Sequence, residues 1–179
     1  MLAFAGKAQT PRQKRDLNQQ NRAAWRKVLR WSDHCEQGFQ SNHVDDPSSG
    51  GLEFNLLSDG KYLVAVQCAT GAYQRVYTFI YYDEARPSQP PATLKLKQYD
   101  HQKNGRVTRS YATEVGGSYT LDRRRRVLEI VSKGNGQQGC DLDVKYRLVG
   151  SRAAVQEARI QPCNAQSNDP YHWYQIKRP

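Results

Sequence analysis

The sequence predicts a mainly β fold: an antiparallel β-sandwich or barrel-like meander with one N-terminal α-helix and two disulfides. Three observations carry this expectation. Val, Ile, Thr and Tyr, which fit a pleated, half-buried surface, are concentrated between Leu52 and Ile176. Short runs of these residues recur between Gly, Asn, Asp and Pro turn signals, as in antiparallel sheets and unlike alternating β and α units. Cys35, Cys68, Cys140 and Cys163 stand well apart, without the Cys-x-x-Cys pairs of a structural zinc site or a thioredoxin-like redox motif. A chain of 179 residues is long enough for one domain and short for two. Residues 1–10 are expected to be the remnant of a signal peptide or a disordered tail, 11–31 a helix, and 32–179 a single disulfide-braced β domain.

From Pro11 to Trp31 the spacing predicts one helix, with Asp16 as N-cap and Gln19 completing a capping box. Leu17, Ala24, Trp25, Val28 and Leu29 form an apolar stripe, expected to dock on the protein's own sheet. Arg22, Arg26, Lys27 and Arg30 lie mainly on the other side. Residues 45–51 are a loop by composition. Strands are predicted over Leu52–Leu57 and Lys61–Cys68, joined by the turn Ser58-Asp59-Gly60, and over Tyr73–Tyr82 after an interruption at Gly71. Pro87–Pro91 is a surface connection, and Thr93–Lys97 alternates apolar and basic as one strand. Asn104-Gly105 is a tight turn before a strand over Val107–Thr113. Gly116-Gly117 leads into Ser118–Leu121, and Asp122–Arg125 forms a turn before Val127–Val131. Leu142–Leu148, Ala154–Ile160 and Trp173–Ile176 complete the series.

Four cysteines allow three pairings. Cys35–Cys68 and Cys140–Cys163 are favoured because each closes a short loop within one part of the chain. Disulfides require an oxidising compartment. The apolar Leu2-Ala3-Phe4-Ala5, ending in an A-x-A pattern, is similar to the tail of a signal peptide. A periplasmic or secreted location is therefore expected, and no stretch is long enough to span a membrane.

The net charge is +10, from 27 Lys and Arg against 17 Asp and Glu, which favours an anionic partner. Arg123-Arg124-Arg125-Arg126 is the sharpest charge feature, placed at a predicted turn. Export argues against nucleic acid as its normal partner and for an anionic envelope polymer or an acidic protein surface. Lys133 precedes Gly134-Asn135-Gly136-Gln137-Gln138-Gly139, whose backbone N–H groups would suit an anion but which lacks a P-loop ending. Tyr73, with Tyr77, Tyr81, Tyr82, Tyr171, Trp173 and Tyr174, offers aromatic lining for a groove. The partner-binding candidates are thus Arg123, Arg124, Arg125, Arg126, Lys133, Tyr73 and Trp173. His34, His43, His101 and His172 lack metal-ligand spacing, and Asp141-x-Asp143 and Asp45-Asp46 do not form a calcium loop. No Gly-x-Ser-x-Gly elbow is present, and bridged cysteines cannot act as nucleophiles. The expectation is a non-catalytic protein with no cofactor and no metal.

The cysteine surroundings carry a resemblance. Trp31-Ser32-Asp33-His34-Cys35 and Cys68-Ala69-Thr70-Gly71-Ala72-Tyr73 resemble the Trp-x-x-x-Cys and Cys-x-x-Gly-Ala-Tyr signatures of the exported bacterial group catalogued as domain of unknown function 1176. Lys133 to Cys140 is similar to that family's Lys-Gly-Arg-Gly-Leu-Gly-Asp-Cys segment, and Tyr146-Arg147-Leu148, Pro162-Cys163-Asn164 and Trp173 to Arg178 resemble its ending. Asn135 replaces the usual Arg, and Gln137-Gln138 replaces Leu-Gly. The resemblance implies a periplasmic or secreted protein with the same two disulfides, and it implies no activity. Inhibition of a secreted hydrolase such as a lysozyme, through a disulfide-braced loop, is the alternative function.

Overall fold

The structure, a computed structural model, describes residues 18, 20–41, 50–71, 74–86, 88–101, 107–133, 141–161 and 173–176. Two antiparallel sheets and a hairpin make up the β portion. In the first sheet β1 (Leu52–Ser58), β2 (Lys61–Thr70), β3 (Arg75–Asp83) and β4 (Ala92–Thr93) lie in that order, and β7 (Glu114–Gly116) also pairs with β3. The second sheet runs β12 (Tyr174–Gln175), β11 (Arg152–Ile160), β10 (Leu142–Val149), β9 (Val127–Ser132), β8 (Ser118–Asp122). Between them in sequence, β5 (Leu96–His101) and β6 (Val107–Ala112) form a separate hairpin.

Alternation along each strand assigns its two faces. Leu63, Ala65 and Phe79 of the first sheet meet Leu128, Ile130, Val144, Tyr146 and Leu148 of the second, and Leu96 and Tyr99 of the hairpin join this core. Tyr146 ties the hairpin in place: its hydroxyl donates to the Lys97 carbonyl at 2.8 Å and accepts from Gln98 Nε2 at 3.2 Å. The opposite side chains of the first sheet, Val64, Val66, Cys68, Ile80 and Tyr82, pack beneath two helices. The first sheet is therefore covered on both faces, in a helix, sheet, sheet arrangement.

The chain passes from one sheet to the other at Gly117. Its φ of +144° is a conformation that favours glycine, and a Cβ there would lie 2.6 Å from the Val131 carbonyl oxygen. Its N–H donates to the Arg75 carbonyl at 2.9 Å, and Ser132 Oγ donates to the Gly116 carbonyl at 2.5 Å. The Gly116-Gly117 step that leads into the predicted strand Ser118–Leu121 forms this corner.

The expected single helix is corrected. Two helices are present, α1 (Arg22–Leu29) and α2 (Asp33–Ser41). Asn21 caps α1, its side chain accepting from the Ala24 N–H. Arg30 ends the helix in the left-handed region at φ 59°, and Ser32 then caps the Cys35 N–H at 3.0 Å. The apolar stripe docks as expected, with Trp25 and Leu29 buried on the sheet and Trp25 set against Phe54 and Tyr82. Arg22, assigned to the polar side, is buried instead. Its Nε donates to Glu36 Oε2 at 2.8 Å, its guanidinium lies over the Phe39 ring, and Trp31 Nε1 donates to the same carboxylate. This network locks α1 to α2. Burial lowers the Arg22 pKa despite Glu36. At Glu36 burial works against ionisation, but hydrogen bonds from Trp31, Arg22 and Gln40, together with the Arg22 charge, outweigh it and hold the carboxyl below its usual range.

Cys35 and Cys68 are bonded, joining α2 to β2. Closing a loop of that length, with 33 residues of separation, contributes roughly 3–4 kcal/mol in the chain-entropy model. Cys140 and Cys163 lie outside the described residues, as do residues 1–17, Tyr73 and the glycine loop at 134–139. The strand predicted over Thr93–Lys97 is two elements. The Leu94 N–H donates to the Phe79 carbonyl at 2.8 Å, and both Leu94 and Leu96 are buried, so the chain turns out of the first sheet there to begin the hairpin.

Candidate functional site

The β8–β9 hairpin presents the arginine run at its tip. Asp122 pairs with Val127, and Arg123 to Arg126 form the connecting loop. Asp122 holds it from within: Oδ1 accepts from the Arg125 N–H at 2.9 Å and Oδ2 lies 3.7 Å from Arg125 Nε. Arg126 closes the loop at φ 53°, where an L residue without a stabilising contact costs about 1–2 kcal/mol. The Arg126 carbonyl accepts from the Leu148 N–H at 2.8 Å, and Arg147 Nη1 donates to the Arg125 carbonyl, which docks the loop on β10. All four side chains are exposed.

Strand register gathers further cations at this end. Lys61 pairs with Asp83 at the β2–β3 end, and Arg86 follows with its Nε 3.6 Å from Asp83 Oδ2. The β10–β11 turn at Gly150-Ser151 lines a cavity of about 290 Å³ together with Lys61, Tyr81 and Arg86. Arg126 and Arg86 both act electrostatically on Tyr81, which burial nevertheless raises above the ordinary phenol range. Arg147 and Arg152 stand exposed on β10 and β11 beside the same turns. Among the described residues Arg123, Arg124, Arg126 and Arg152 form no ion pair. Asp83 and Glu84 are buried and Asp122 is paired with Arg125, so beside the exposed Asp59 of the β1–β2 turn the charge at this end is mostly arginine.

Arg123 also lines a second cavity, of about 420 Å³, between the edge strands β1 and β8, with Glu53, Asn55, Tyr77 and Tyr119. The Tyr119 hydroxyl donates to Glu53 Oε2 across the gap. Tyr119 meets Tyr77 and Phe79 edge-on, each at 5.1 Å between ring centroids. Burial first, and the Glu53 carboxylate second, hold the Tyr119 phenol well above its usual range. Asn55 is 4% exposed, and its amide, acting as a hydrogen-bonding neighbour of the Tyr119 phenol, partly opposes that rise.

Lys133 and Trp173 are not part of this assembly. Leu142 pairs with both Ser132 and Ile160, and Ile160 with Tyr174, at one end of the second sheet; Arg147 pairs with Val127 at the other. About five residues of strand, roughly 17 Å, separate the two ends. Lys133 is occupied there by Asp141 at 2.8 Å, and Trp173 is buried. The tyrosines also divide: Tyr77 and Tyr81 face the second sheet, Tyr82 packs under the helices, and Tyr174 is exposed.

Two other clusters have limited chemistry. Ser32 Oγ donates to Glu114 Oε1 at 2.9 Å and His34 Nδ1 lies 3.0 Å from Glu114 Oε2, so serine and histidine both engage the carboxylate rather than each other. Cys35, Cys68 and Glu114 bring ligand atoms close together, but both sulfurs are spent in the disulfide.

The fold and site thus define a two-sheet β protein with a helical cover and an arginine-rich end. An uncharacterized protein of Escherichia coli K12, YpfG, is 23% identical to this chain over 129 residues, covering 72% of this chain and 35% of the relative, so the chain spans about a third of that protein's length. No family model and no solved structure matches the chain.

Proposed function

We propose that this is an exported, non-catalytic envelope protein that binds an anionic polymer or an acidic protein face through its arginine end. The observation that carries the reading is the convergence of Arg123–Arg126 with Arg86, Arg147 and Arg152, from four separate segments, on one end of the sandwich. The Cys35–Cys68 bond and the absence, among the described residues, of a helix long and apolar enough to cross a membrane are compatible with a periplasmic or extracellular protein. The resemblance of the cysteine segments to the exported group described above supports the same compartment. The Cys35–Cys68 bond is buried between helix and sheet.

The test is retention of the protein on isolated cell-wall polymer and on an acidic protein matrix over a salt series. Retention that weakens with salt, and that Arg124→Ala with Arg125→Ala reduces about tenfold, supports the reading. Retention that is absent, or indifferent to salt, overturns it.

A further inference from the structure

The cavity between β1 and β8 breaks the pattern of the rest of the sandwich. In register Glu53 lies beside Ala65 and Asn55 beside Leu63, and both neighbours belong to the core between the sheets. Alternation therefore turns Glu53 and Asn55 to the side of the second sheet, Glu53 still exposed at the edge and Asn55 buried, where an apolar residue would be the stable choice. Asn55 places its buried amide beside the Tyr119 phenol, on which it acts as a hydrogen-bonding neighbour. Facing it across the gap, Tyr119 occupies the inward position of β8 beside Ile130. Departures from local stability rules of this kind concentrate at functional sites.

We infer that this notch is a binding site for one acidic saccharide unit, held by its acid group at Arg123 and by its ring hydroxyls at Glu53, Asn55 and Tyr119. This rests on the reading of the arginine end as an anionic-polymer surface and names the unit that surface would grip. The volume of about 420 Å³ falls at the small end of ligand pockets, which run to about 300–1,000 Å³. Its lining is polar, with a carboxylate, an amide, a phenol and a guanidinium, where a site for an apolar ligand would be mostly hydrocarbon. A carboxylate and an amide supply the paired acceptors and donors that vicinal hydroxyls need, and the tyrosines offer aromatic surface to the C–H face of a sugar ring. Arg123 belongs at once to the notch and to the arginine loop, so a polymer lying along the loop would reach the notch without a break. A hydroxyl that displaces the Tyr119–Glu53 bridge would take up the carboxylate of Glu53 and the amide of Asn55 that now face Tyr119.

The test uses galacturonate, glucuronate and glucose 6-phosphate, with methyl galacturonate ester and glucose as uncharged controls. Binding to the full chain is followed by NMR titration beside polyuronate binding. Binding of at least one acidic sugar, with its uncharged counterpart at least tenfold weaker, is expected. Tyr119→Phe and Asn55→Leu are expected to weaken it at least tenfold while polyuronate retention on the arginine loop persists. Urea melts of both variants beside the parent establish that each is folded before binding is compared. Polyuronate binding with no acidic sugar bound, or with binding indifferent to both variants, overturns the notch and leaves the arginine end standing. Absence of polyuronate binding together with the sugars overturns the notch and the polymer reading of the arginine end.

Discussion

Asp143 shows how a single buried group sets a pH dependence. It lies on the outward side of β10, is 3% exposed, and has Oδ1 unpaired among the described residues. Burial first, then the charges of Glu129 and Glu157, raise its pKa to about 6, against the opposing pull of Lys145 and Arg159. The unfolded carboxyl releases its proton near the ordinary value of about 4. Between those two values the native state binds more protons, so stability falls as pH rises through the window and levels off above about 6. Asp143→Asn should therefore unfold later than the parent above pH 6, by up to about 2–3 kcal/mol, with the difference vanishing near pH 4; urea melts across pH 4–8 measure it. Arg126 is a second residue held against its preference, at φ 53°. Arg126→Gly should leave stability unchanged or raise it by about 1 kcal/mol in denaturant melts while weakening retention on anionic polymer. A loss of stability instead would mean that the arginine side chain braces the turn.

Among the elements, α2 and β2 are held closer than ordinary side chains allow. A Cβ at Gly38 would lie 2.8 Å from the Cys68 carbonyl oxygen. Alanine gains about 1 kcal/mol of helix propensity over glycine, but forcing a methyl onto backbone costs about 1–3 kcal/mol. The Cys35–Cys68 bond, one turn away, prevents the helix from sliding clear. Gly38→Ala is thus expected to lower stability by up to about 2 kcal/mol, read as a shift of the urea midpoint at constant slope. Most strands were legible in the sequence because alternation and turn residues coincide, as at Ser58-Asp59-Gly60 and Asp122–Arg125. The helical region was less so. No glycine or proline marks the break at Arg30, an arginine in the left-handed region, and α2 carries a mixed sequence whose burial rests on Cys35 and the Glu36 network. The expected strand over Thr93–Lys97 failed for a related reason, since alternation within five residues does not reveal that the chain changes sheet at Leu94.

At the scale of the molecule, the arginine run could be found in the sequence, whereas its companions Arg86, Arg147 and Arg152 are brought to it only by strand register. The notch was hidden more deeply. Leu52-Glu53-Phe54-Asn55 reads as one buried and one solvated face, and it takes both covering layers to show that Glu53 and Asn55 point toward the second sheet. This distributed charge distinguishes the whole end from an isolated charged tip. If Arg123–Arg126 alone contacted a polyanion, neutralising distant arginines would leave the salt dependence unchanged. If the end acts as one surface, each cation in contact adds close to one unit to the slope of log affinity against log salt. Arg86→Gln with Arg152→Gln, both exposed and far from the loop in sequence, should then reduce that slope by about one to two units. Affinity for polyuronate should fall about threefold to tenfold at low salt and converge with the parent at high salt, where counterion release no longer drives binding. Titrations from low to high salt measure both quantities. An unchanged slope would confine the contact to the β8–β9 loop.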